Sequence, residues 1–231
     1  MTALGPILLT GGSGRLGRAL RMKCAEIIAP SHTEMDITDW RTVLKVTELL
    51  RPSVIIHSAA LVGRGECEAN REQAIQVNIQ GTRNVVLACQ ETNTKLVFIS
   101  TAAVFDGEKG NYSEDDKPNP RYFYAETKLV AEGVVLELAD SLIIRTDFFD
   151  PNGFKYQQVY SDHYCSKEST RVIARKTLQA VHAGTTGVKH IGGPRQILYD
   201  ILRPYFPRIR PVTIRNSSMP DFPRDLSLAC C

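Results

Sequence analysis

The stretch PILLTGGSGRLGRALRMKCA, Pro6–Ala25, decides the fold. PILLT (6–10) is an apolar run short enough for a buried strand. GRLGRALRMKCA (14–25) has the spacing of a helix. Between them, TGGSGRLG (Thr10–Gly17) sets glycines at 11, 14 and 17. Glycine tolerates the positive φ of a tight turn, and a missing side chain lets backbone N–H groups reach a phosphate. The following helix start adds partial positive charge there. A strand, a glycine loop and a helix in this order predict the first βα unit of a dinucleotide-binding fold.

Outward from this unit the pattern repeats. Strands are predicted at EIIAP (26–30), SVIIHSAA (53–60), KLVFIS (95–100) and SLIIRT (141–146). Helices are predicted at 36–50, 71–92 and 122–138, the first with Thr38 or Asp39 as N-cap. The strands are apolar on both faces, as central parallel strands are. Alternation of this kind predicts a Rossmann-type, doubly wound parallel α/β sheet over residues 1–150. After Asp150 the pattern changes. A helix (169–184), a short strand (187–193) and a helix (195–206) lead to a proline-punctuated, irregular tail. Residues 151–231 are expected to form a small substrate-binding lobe packed on the first part.

Composition excludes several classes. With 43% hydrophobic and 23% charged residues, the chain reads as a soluble globular protein. No basic n-region precedes the first apolar run, and no run approaches membrane-spanning length, so the expected location is cytoplasmic. Six cysteines form no CxxC pair and five histidines show no ligand spacing, so no metal site is expected. Residues 1–150 carry a net charge of −4 and residues 151–231 a net of +7. A basic C-terminal third suits an anionic ligand such as a nucleotide diphosphate, while the lack of interleaved aromatics argues against nucleic acid.

Three further segments bear chemistry. After the second strand, dinucleotide folds often place an acid on the ribose 2′-hydroxyl. Here Ser31 and His32 occupy that place, with Arg15 in the glycine loop, which favours NADP(H) over NAD(H). Glu34 is the alternative acid if the strand ends later. FISTAAVFDG (98–107) puts Ser100 and Thr101 at a strand's C-terminal end, where ligands of open parallel sheets sit. In YFYAETK (122–128), Tyr124 and Lys128 are four apart on one helix face. An ammonium beside a phenol lowers its pKa and prepares it for proton exchange with a carbonyl oxygen. Tyr122 has Glu126 in the same relation, which works the opposite way, so Tyr124 is the expected acid and Tyr122 a packing or pocket-wall residue.

In this order, the glycine loop, the Ala59-Ala60 strand end, the Ser-Thr strand end and the YxxxK helix resemble the extended short-chain dehydrogenase/reductase family over residues 5–150. PRYFYAETKLVAE and ISTAAVFDG are most similar to its nucleotide-sugar reductases and epimerases, the dTDP-4-dehydrorhamnose reductase type. The resemblance implies that Thr101 (or Ser100) orients a substrate carbonyl, that Tyr124 is the general acid/base, and that Lys128 tunes it and holds the nicotinamide ribose. It implies a dinucleotide held by Gly11, Ser13, Gly14, Arg15, Leu16, Gly17, Ser31, Asp36, Ile37, Ala59, Ala60 and Asn78, together with Tyr124 and Lys128.

The chain departs from the family at Ala102 and Ala103, where reductases read Asp-Tyr and 4,6-dehydratases need Asp-Glu. That argues against a dehydratase and leaves the substrate contacts open. The expected function is reduction of a nucleotide-linked 4-keto-6-deoxy sugar in polysaccharide biosynthesis. A non-catalytic dinucleotide-binding regulatory subunit and a nucleotide-sugar epimerase are the alternatives. A homodimer is the family expectation, and no nucleic-acid or membrane partner is expected.

Overall fold

The computed structural model describes residues 5–154 and 156–230. The first part runs β1 (Ile7–Thr10), α1 (Arg15–Arg21), β2 (Ile27–Ile28), α2 (Trp40–Leu50), β3 (Val54–His57), α3 (Arg64–Ala69) and α4 (Arg71–Ile75). A π-turn (Gln76–Gln80) leads into α5 (Gly81–Thr92), then β4 (Lys95–Ile99), α6 (Phe123–Val135) and β5 (Ser141–Thr146). The second part holds β6 (Phe148–Phe149), β7 (Gln158–Tyr160), β8 (Tyr164–Cys165), β9 (Glu168–Ser169), α7 (Thr170–His182) and β10 (Gly187–Ile191). It closes with β11 (Gln196–Ile197), α8 (Leu198–Leu202), β12 (Arg210–Val212) and β13 (Asp225–Leu226).

Six strands form one parallel sheet in the order β10-β5-β4-β3-β1-β2. The strand order reverses between β1 and β3. In open α/β sheets a ligand crevice opens at such a point, beyond the strands' C-terminal ends. Successive strand residues point to opposite faces. Thus Ile7, Leu9, Val54, Ile56, Val97 and Ile99 meet α1 and α7, while Leu8, Ile55, Leu96, Phe98 and Ile143 meet the helices of the other face. This two-sided burial is why the strands read as unbroken apolar runs. Asp39 caps α2, its carboxylate accepting from the Arg41 amide at 3.0 Å.

The second part differs from the expected division at residue 150. Its α7 packs on α1 and its β10 pairs with β5, so residues 170–191 complete the main sheet. The tail is not irregular either. Arg210–Val212 pairs with β7, and Asp225–Leu226 with β8. These pairings span some fifty residues or more, and no local pattern announces them. A small separate core of Phe149, Val159, Leu202 and Ile209 holds the lobe. No helix among the described residues is long and apolar enough to cross a membrane.

Candidate active site

A cleft of about 670 Å³ opens at the reversal between β1 and β3. Gly11, Ser13, Gly14, Ser31, Asp36, Ile37, Ala59 and Ala60 all line it. Gly11 has φ +73°, and a Cβ there would lie 2.6 Å from the Ala59 amide nitrogen. A Cβ at Gly17 would lie 2.2 Å from the Gly11 carbonyl oxygen, so this glycine serves the packing of α1 on the loop. The loop is therefore a backbone cradle of the kind a diphosphate needs. Its shape and position fit a dinucleotide.

Some expected cofactor contacts fall elsewhere. Arg15 is exposed and does not line the cleft, and the Leu16 side chain is buried in the core. The cation on the cleft wall is Arg21, two helical turns further along α1. Arg18 is occupied, donating to the Ser13 carbonyl at 2.6 Å and to Asp150 at 3.3 Å. Glu34 is on the cleft rim, but its carboxylate accepts from the Ser31 amide (2.7 Å) and hydroxyl (2.8 Å). It caps its own turn. The Asp36 carboxylate is likewise occupied by Thr38 N–H and O–H.

Asn78 does not line the cleft. Its Oδ1 accepts from the Leu61 amide (2.8 Å), and its Nδ2 donates to the Leu61 carbonyl (3.0 Å) and to Thr127 Oγ1 (2.9 Å). It clamps the segment after Ala60 to α6, one residue before Lys128. The π-turn that carries it is a form common at functional sites. His57 is a core histidine, fully buried between Thr10 Oγ1 (2.6 Å) and Thr82 Oγ1 (3.0 Å). Burial, and the nearby charge of Lys128, push its pKa down to about 3.

The catalytic candidates converge from β4 and α6. Thr101 lies just beyond β4 and accepts from the Ala103 amide at 3.2 Å, starting a short 3₁₀ turn. Its side chain faces the Tyr124 phenol closely enough to hold that phenol's pKa down. Ser100 points elsewhere. It is 4% exposed, and its hydroxyl donates to Glu132 at 2.5 Å, behind the site. Glu132 in turn forms a buried bidentate pair with Arg145 at 2.8–3.2 Å.

Burial raises the Tyr124 pKa above that of a free phenol, with Tyr122, Cys67 and Asp147 adding to it, and the Thr101 hydrogen bond opposing. This corrects the expectation that Lys128 leaves the phenol with a lowered pKa, because desolvation wins. The phenol is protonated at neutral pH, as a free phenol is, and burial makes it a weaker acid until a nearby positive charge offsets that cost. Tyr122 also differs from expectation. Glu126 is exposed, and after burial the charges acting on Tyr122 are Asp147, which raises its pKa, and Arg64, which lowers it. Its ring stacks 6.5 Å from that of Tyr124. Arg64, 5.6 Å above the Tyr122 ring, also pairs with Asp221 at 2.9 Å and ties the tail to this side of the site. Asp147 pairs with Lys167. These four residues come from α3, the lobe and the tail, and no motif in the sequence marks them.

Lys128 is 3% exposed, its ammonium 3.8 Å above the Phe98 ring. Burial pushes its pKa down to about 7, while Glu132 works upwards. The folded protein therefore releases this proton more readily than the unfolded chain does. Between about 7 and 10.5 the unfolded chain binds more protons at this site, so its contribution makes stability rise with pH. Lys128→Met removes the buried charge. Its stabilising effect should be largest at or below pH 7 and shrink towards pH 10. Denaturant melts of both proteins across that range test this, and a pH-independent difference would contradict it.

Ala102 and Ala103 are 2% and 6% exposed. Ala102 packs with Val104, Phe105, Tyr112, Leu226 and Leu228 under the returning tail. The departure from the family pattern therefore lies in the interior, and these side chains are not an exposed substrate wall. Among the described residues, no cluster of His, Cys, Asp and Glu has the form of a metal site.

The chain matches the family model described as RmlD substrate binding domain over residues 5–190. It is 30% identical over 234 residues to a dTDP-4-keto-6-deoxy-D-glucose reductase of Streptomyces niveus, covering 89% of this chain and 81% of that one. It is 33% identical over 149 residues to a dTDP-4-dehydrorhamnose reductase of Aggregatibacter actinomycetemcomitans, covering 62% of this chain and 51% of that relative. Among solved structures, the dTDP-4-dehydrorhamnose reductase of Bacillus anthracis in complex with NADP superposes with a TM-score of 0.89 at 25% identity. That match covers 98% of this chain and 90% of that one.

Proposed function

The chain belongs to the RmlD substrate binding domain family, and we propose that it is an NADPH-dependent reductase of a dTDP-linked 4-keto-6-deoxy sugar. One observation carries this reading. The Tyr124 phenol stands beside Thr101 and one helical turn from the buried Lys128. Relatives named as reductases of such sugars support the substrate class.

When bound, the dinucleotide supplies the hydride; the chain's residues do the rest. The glycine loop receives the diphosphate through backbone N–H groups. Thr101 donates to the substrate carbonyl oxygen and orients it. Tyr124 delivers a proton to that oxygen as negative charge develops on it. The Lys128 ammonium stabilises the phenolate that Tyr124 leaves behind. Thr127 and Asn78 hold α6 in place.

Arg21, with Ser31 and His32 beside it and the nearby carboxylates already occupied, is the cation for a ribose 2′-phosphate. Incubation with NADPH and a dTDP-4-keto-6-deoxy sugar should give stoichiometric loss of NADPH absorbance. Arg21→Ala should weaken NADPH binding by about tenfold or more, the worth of a charge-assisted contact, and leave NADH binding unchanged. Sugar conversion without NADPH loss would favour an epimerase. Dinucleotide binding with neither would favour a regulatory module.

A further inference from the structure

Tyr124, Lys128 and Glu132 follow one another at four-residue steps on α6, and Lys128 and Glu132 are both almost fully buried. Glu132 is reached from three elements at once. Ser100 donates to it from the end of β4, one residue before Thr101, and Arg145 donates to both its oxygens from β5. Arg145 does not face the site. Its guanidinium lies 5.2 Å from the Phe105 ring, and its Nη1 is buried without a partner. The groups around Lys128 are His57 from β3, the Phe98 ring from β4, and Tyr124 and Glu132 from its own helix, with Arg145 of β5 behind Glu132. Since His57 is uncharged at neutral pH, Glu132 is the one anion this set offers the ammonium.

We propose that Glu132 is a positioning residue of the active site: its carboxylate keeps Lys128 charged and, through Ser100, registers the Thr101 strand end against α6. A buried ammonium is costly, and an opposite charge one turn away offsets that cost. Arg145 donates to both carboxylate oxygens and holds their orientation in an apolar interior. The same carboxylate thus sets the state of the lysine beside the acid and the placement of the hydroxyl that faces the substrate oxygen. Burial pushing Lys128 down to about 7 places it where loss of Glu132 would empty its proton at working pH.

The test uses the full chain with lysine labelled at the side-chain nitrogen, and the Lys128 resonance is identified by its loss in Lys128→Arg. In Glu132→Gln the titration midpoint of Lys128 should fall by about one pH unit, the effect of a nearby opposite charge. The double variant Glu132→Gln/Arg145→Met should show the same direction. It removes the pair together, which buried sites tolerate better than losing one partner, and so keeps the test open if the single variant does not fold. A midpoint unmoved in whichever variant folds overturns the proposal. The activity arm rests on the reductase reading. There, the alkaline fall of kcat should move to lower pH with the midpoint, whereas a uniform loss at every pH would mark Glu132 as structural only and overturn the proposal. If the unmodified protein turns over no keto-sugar nucleotide, the reductase reading fails and the titration alone decides the role of Glu132.

Discussion

Tyr124→Phe should lower kcat for keto-sugar reduction by about a thousandfold, within the range that general acid catalysis contributes. Dinucleotide affinity should stay within about threefold, since the lost hydroxyl removes one contact at most. The reasoning is electrostatic. As hydride arrives at the carbonyl carbon, negative charge builds on the oxygen, and only a proton donor can neutralise it. Thr101 offers a neutral hydrogen bond from an aliphatic hydroxyl, whereas the Tyr124 phenol is the more acidic group and is protonated at neutral pH. Tyr122→Phe is the control. Its ring packs beside that of Tyr124 and carries no proton to the substrate, so turnover should change by no more than a few-fold. Single-turnover NADPH oxidation for both variants checks the pair of expectations. Retained turnover in Tyr124→Phe, or equal losses in both, would remove Tyr124 from its role.

The second large effect belongs to the glycine loop. Gly11→Val should abolish dinucleotide binding, by about a hundredfold or more, and destabilise the protein by roughly 3 kcal/mol. Two causes act together. At φ +73° a β-branched residue is strained, and its Cβ would lie 2.6–2.9 Å from the backbone of Ser58 and Ala59. Those atoms end β3, and their amides donate to Thr10 Oγ1 at the end of β1 (3.2 Å each). Nothing there is a flexible side-chain tip, so the two strand ends must part or the loop must leave its cradle. Thermal unfolding and fluorescence titration with NADPH measure the two losses separately. Normal affinity in a folded Gly11→Val protein would show that the loop does not hold the diphosphate.

Much of this was legible along the chain, and for a common reason. Strands buried on both faces must be apolar throughout, so Ile7–Leu9, Val54–Ile56, Leu96–Ile99 and Leu142–Ile144 read plainly. The loop at Gly11 and the Tyr124–Lys128 spacing are local geometry, carried by residues within one turn. The helix expected at 71–92 was legible, but the π-turn within it was not, because one extra residue per turn leaves no compositional mark. Nothing in the sequence sets Arg21 apart from Arg15, which lies in the loop itself. Which arginine reaches the cleft depends on how α1 is rotated against the sheet.

By itself, then, the sequence determined the doubly wound sheet, the glycine loop and the Tyr124–Lys128 spacing on one helix face, all properties of short-range pattern. The tertiary structure decided what the environment does to those groups. It turned Ser100 towards Glu132 and left Thr101 facing Tyr124. It made burial, not the lysine, the dominant influence on Tyr124, and it withdrew Ala102 beneath the tail. It brought Arg64, Asp147, Lys167 and Asp221 beside the tyrosines from distant segments. Desolvation and charge depend on neighbours in space. Those neighbours are fixed only when pairings such as β10 with β5 and β13 with β8 close the chain on itself.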